Sequence, residues 1–115
     1  MTTKQINNCV KAARKHVISF NKTYKILHLQ QAGNKIYKAY VLLVENISKK
    51  DIRTTKGVRI VSADLKDKNL YELGRRARYL HSFWYEGKEQ DSFIKNEIKE
   101  SIILIKMLLK KYKIK

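Results

Sequence analysis

The spacing of apolar residues changes twice along this chain, and that pattern limits the folds open to it more than any other feature. From Thr2 to Lys22, Ile6, Val10, Ala13, Val17 and Phe20 recur at helical spacing with Cys9 beside them, as the buried face of an amphipathic helix requires. Thr2 followed by Gln5 has the form of a capping box, in which hydroxyl and amide satisfy free backbone N–H groups. From Thr23 the spacing reads as period two. "TYKILHLQ" and "KIYKAYVLLVENI" flank "QAGN", a glycine-containing connection suited to a hairpin, and "GVRIVSA" supplies a third extended segment. After Asp67 the helical period returns, with Leu70, Leu73, Ala77, Leu80 and Trp84 on one stripe and Phe83 also assigned to the core. Gly87 can end that helix, and a last one starts near Asp91. This order predicts an α+β fold: an N-terminal helix, a three-stranded antiparallel sheet and two C-terminal helices packed on one face. At 115 residues, without proline or internal repeat, residues 1–115 should form a single domain.

Charge narrows the partners. Twenty-six Lys and Arg stand against 10 Asp and Glu, a formal net charge of +16, and such a field attracts polyanions. Nucleic acid, DNA or RNA, is the first expectation, and an acidic protein partner is the alternative. The N-terminal sequence lacks the apolar core of a signal peptide, and the run "IILI" extended to "MLL" across Lys106 is too short to span a bilayer. A soluble, cytoplasmic chain without a membrane partner is therefore expected. Cys9, the single cysteine, suits a reducing compartment.

The segment "LGRRARYLHSFWYEG" concentrates arginine and aromatic residues. Projected as a helix, its apolar stripe faces the core, and Tyr71, Arg75, Arg78, Ser82 and Tyr85 lie opposite with Arg76 and Tyr79 on the flanks. Arginine offers a planar fork of donors to phosphate or a guanine edge, and tyrosine can stack on a base. Tyr71, Arg75, Arg76, Arg78 and Tyr85 are thus the candidate contacts. Lys11, Arg14 and Lys15 on the first helix, with Lys49, Lys50, Arg53 and Lys56 in the loop "SKKDIRTTKG", are candidate phosphate anchors. The competing assignment pairs the arginines with Glu86, Glu89, Asp91, Glu97 and Glu100 of the neighbouring region.

The last helix carries Lys95, Lys99, Lys106, Lys110 and Lys113 on one side and Ile94, Ile98, Ile102, Ile105, Leu108, Leu109 and Tyr112 on another. Ile103, Leu104 and Met107 lie off that stripe, so the helix is buried on two sides, either within the domain or against a second copy in a homodimer.

No phosphate loop, paired-cysteine site or nucleophile elbow occurs, so the expectation is a binding protein without catalytic activity, cofactor or metal. His16, His28 and His81 read as packing residues. Small size, a Lys- and Ile-rich composition and the missing enzyme motifs suit an accessory factor of a phage or mobile element. Two nuclease alternatives remain. The order helix-strand-strand-strand-helix resembles the centre of restriction-endonuclease-like nucleases, with Glu45, Asp64 and Lys66 as the metal and phosphate residues. Size and charge also resemble small basic ribonuclease toxins, for which Arg75, Arg78, His81 and Tyr85 would be the first candidates and an acidic antitoxin the partner.

Overall fold

The computed structural model describes residues 2–114, the Thr2 side chain excepted, and it is helical where a sheet was expected. The elements are α1 (Thr2–Thr23), α2 (Ile26–Ser48), α3 (Thr55–Leu65), α4 (Lys68–Ser82), a 3-10 turn at Lys88–Gln90 and α5 (Asp91–Lys111). No strand occurs among the described residues. The first expected strand from Ile26 on, the hairpin and the second strand are one continuous helix, α2, with Thr23 ending α1 and Tyr24 and Lys25 forming the link, and the third strand lies within α3.

The physical reason for the first correction lies in how α2 is packed. Leu29, Ala32, Gly33, Ile36, Ala39, Tyr40, Leu43 and Val44 are buried at helical spacing, while Tyr37, Val41, Leu42 and Ile47 pack around them. A helix covered on several sides loses its single apolar stripe and can read as a strand. Gly33 is not a turn residue. Leu80 of α4 lies so near that a Cβ at position 33 would collide with the Leu80 carbonyl oxygen, so glycine permits close approach. Gly74 does the same from α4, since a Cβ there would sit 2.6 Å from the Tyr40 hydroxyl.

Local signals set the helix ends. Tyr24 takes a left-handed conformation (φ 57°) and its N–H bonds the Phe20 carbonyl at 2.7 Å, closing α1 before the short link into α2. Thr54 caps α3, accepting from the Gly57 N–H at 2.9 Å, and Asp67 caps α4, accepting from the Leu70 N–H at 3.0 Å. Thr54 thus converts the β-branched segment after it into a helix with Val58, Val61, Ser62 and Leu65 turned toward the rest of the fold. Helix α4 stops at Ser82, earlier than expected, and Gly87 (φ 139°) instead shapes the link to the 3-10 turn. The expected capping box rests on the Thr2 side chain and lies outside the described residues.

Helices α1, α2, α4 and α5 form an antiparallel four-helix bundle with α3 packed against α2 and α4, and the described residues together span 39 × 25 × 23 Å. Ile6, Val10, Ala13 and Phe20 of α1, Leu70, Leu73, Ala77 and Leu80 of α4, and Ile94, Ile98, Ile105 and Leu108 of α5 meet α2 in the core. Burial pushes the Cys9 thiol pKa up, against the pull of Lys38 and Lys35. Trp84 corrects the expected stripe: it follows the end of α4 and is 84% exposed, while Phe83 stays half-buried and stacks on Tyr79. No helix is long and apolar enough to cross a membrane among the described residues.

Candidate nucleic-acid interface

Two helix faces meet in a groove of about 450 Å³ between α3 and α4. Helix α3 contributes Lys56, Arg59, Ile60 and Ala63, which share a face at helical spacing, together with Ser62. Helix α4 contributes Tyr71 and Arg78. Tyr71 and Ile60 are exposed, so the groove combines three cations with an accessible aromatic ring and an aliphatic side. None of Lys56, Arg59 and Arg78 has a carboxylate partner among the described residues. The first turn of α3 contains Lys56 and no acid, so the positive end of the helix dipole is not offset there. The Arg78 guanidinium lies over Gly74, with its Nη1 3.1 Å from where a Cβ there would stand.

The other candidate contacts divide. Arg75 lies one turn from both Tyr71 and Arg78 and bonds Glu72 of its own helix at 3.0 Å, with half of its side chain exposed. That ion pair lowers the Glu72 pKa and raises that of Arg75. Arg76 turns the other way, into the α4–α5 seam, where it meets the buried Glu97 at 2.5 Å. Tyr85 lies beyond α4 and donates to Asp91 at 2.8 Å, which raises its pKa.

Lys11, Arg14 and Lys15 are exposed on α1, and Arg14 borders a different groove, with α5. Lys49, Lys50 and Arg53 are exposed around the α2–α3 link, with Arg53 paired to Asp51 at 3.2 Å. The groove therefore gathers Lys56, Tyr71 and Arg78 from the expected set and adds Arg59, Ile60 and Ser62. These three lay inside a segment read as a strand, and the spacing of Lys56, Arg59, Ile60 and Ala63 behind a Thr54 cap was the signal for them.

Of the residues named for the nuclease alternatives, Arg78 lines the groove and Arg75 lies beside it, while Glu45, His81 and Tyr85 are engaged elsewhere. Glu45 lies in α2 and accepts from the Ile52 N–H at 2.9 Å, and the strands that would carry it toward Asp64 are helices. His81 stacks on Tyr37 at 4.2 Å and bonds Asn34 at 3.3 Å. His16 faces His28 of α2 at 5.8 Å, and burial, His28 and Lys35 lower its pKa. Among the described residues no three His, Cys, Asp or Glu side chains converge as metal ligands. No protein-family model matches the chain, and neither curated proteins nor solved structures provide a match.

Proposed function

We propose that this protein binds nucleic acid without catalysing its reaction, using the α3–α4 groove as the contact site. The observation that carries the reading is the joining of Lys56, Arg59 and Arg78, none with a carboxylate partner among the described residues, beside the exposed ring of Tyr71. A phosphate backbone would supply the missing negative charge, and Tyr71 would stack on an unpaired base or donate to phosphate. Arg75, on the same side of α4, would extend the contact once released from its exposed pair with Glu72. Lys11, Lys15, Lys49 and Lys50 would add attraction that depends on charge rather than on shape.

The test compares a triple variant, Lys56→Ala, Arg59→Ala and Arg78→Ala, with a control, Lys11→Ala, Lys15→Ala and Lys49→Ala, which removes the same charge. Fluorescence anisotropy on labelled DNA and RNA, single-stranded and duplex, should show the groove variant at least about tenfold weaker than the control on the preferred polymer. Equal losses would reduce the interface to net charge and remove the groove from it. A denaturing gel after each titration should show intact strands.

A further inference from the structure

The α1–α5 seam is the most sparsely packed of the four seams between neighbouring bundle helices, and it opens into a second groove of about 440 Å³. Its floor is aliphatic, with Val17 and Ile18 from α1 and Ile98, Ile102 and Ile103 from α5, and its rim is basic, with Arg14, Lys95, Lys99 and Lys106. Ile18 is 54% exposed and Ile103 44%. This composition differs from that of the α3–α4 groove, which has no comparable aliphatic floor.

We infer that the α1–α5 groove is the docking site for an amphipathic helix of a different protein, with an apolar stripe flanked by Asp and Glu. The apolar stripe would cover Ile18 and Ile103, and the acidic flanks would meet Arg14, Lys99 and Lys106, which have no carboxylate partner among the described residues. From Lys95 to Lys106 the rim follows about 16 Å of α5, the length of a helix of roughly three turns.

Charge selects this occupant over a second copy of the chain. Helix α1 contains no Asp or Glu, and of the three acids of α5 Glu97 is buried against Arg76 and Asp91 accepts from Tyr85, so in a self-contact Glu100 alone would stand against the Arg14, Lys95, Lys99 and Lys106 rims of both copies. Shape selects it over a lipid surface, because Val17, Ile98 and Ile102 are recessed between the two helices beneath Ile18 and Ile103, where an inserted side chain can reach them and a bilayer cannot. Chemistry selects it over nucleic acid, since the floor offers aliphatic side chains and no aromatic ring to a base.

The probe is a labelled, designed helical peptide of about fourteen residues with Leu at helical spacing and Glu on both flanks. A matched peptide with Lys in place of Glu is the comparison. The acidic peptide should bind with micromolar affinity, and both the Lys peptide and the Ile103→Glu variant should weaken binding by at least about tenfold. Ile103→Glu changes an exposed position and should leave circular dichroism and nucleic-acid affinity unchanged, which separates this test from that of the α3–α4 groove. Equal binding of both peptides, or none of the acidic one, would overturn the inference. So would sedimentation of a dimer, or binding to phosphatidylserine vesicles, that Ile103→Glu abolishes.

Discussion

At Asp67 one carboxylate accepts from the Leu70 N–H at 3.0 Å, from Lys111 at 2.7 Å and from the Tyr112 hydroxyl at 2.5 Å. It therefore caps α4 and ties that helix to the end of α5. Burial alone would raise its pKa, but the three hydrogen bonds outweigh burial and lower it from 3.8 to about 2. A depressed folded-state value means that the stabilisation is complete above about pH 4 and is lost as pH falls toward about 2. Asp67→Asn should cost about 2 kcal/mol at neutral pH and flatten the stability profile in that acid window, as measured by urea unfolding across a pH series. The arginines allow a second prediction at this scale. Arg76→Ala leaves Glu97, 8% exposed at its side chain, without its cation, and should cost about 3 kcal/mol. Arg75→Ala breaks an exposed pair with Glu72 and should stay within about 0.5 kcal/mol. Adding Arg78→Ala to Arg75→Ala should then weaken nucleic-acid binding in a chain that still unfolds cooperatively.

Among the elements, α1, α4 and α5 could be read from sequence because each has a main apolar stripe that is buried at helical spacing, although Trp84 falls outside α4 and the second apolar side expected of α5 leaves Ile103 and Met107 exposed. Helix α2 could not be read in this way. Tyr40 to Val44 form a continuous apolar run because α2 touches α1, α3, α4 and α5, and β-branched and aromatic residues in such a run favour a strand assignment. Gly33-Asn34 then looked like a turn, when the glycine marks the place where two helices come closest. Once α2 was divided, α3 became the third strand of a sheet that does not form. Gly33 makes the correction testable. In an exposed helix Gly→Ala stabilises by up to about 1 kcal/mol, but here the added methyl meets the Leu80 carbonyl, part of a backbone that cannot swing aside. Gly33→Ala should therefore destabilise by about 1–3 kcal/mol in chemical denaturation. A stabilised variant would show that α2 and α4 stand farther apart.

Across the whole molecule, acids and bases have different work. Asp67 and Glu97 hold helices together, Glu45 holds the α2–α3 link, Asp91 holds Tyr85, and Asp51 and Glu72 form local pairs. The few carboxylates are largely occupied by the architecture, while among the described cations only Arg53, Arg75, Arg76 and Lys111 have a carboxylate partner. Sequence alone gave the sign of the surface and the arginine side of α4, because charge and single-helix periodicity are local properties. It did not give the groove, because Arg59 meets Arg78 only after α3 folds back on α4. Salt dependence tests this account most directly. The affinity of the native chain for duplex DNA should fall with salt at a log–log slope of about −4.5 to −7, as expected for roughly five to eight neutralised phosphates. Removing Lys56, Arg59 and Arg78 together should make that slope shallower by about 2.7, at roughly 0.9 per lost phosphate contact. Real affinity with a slope near zero, or a triple variant with the native slope, would contradict it.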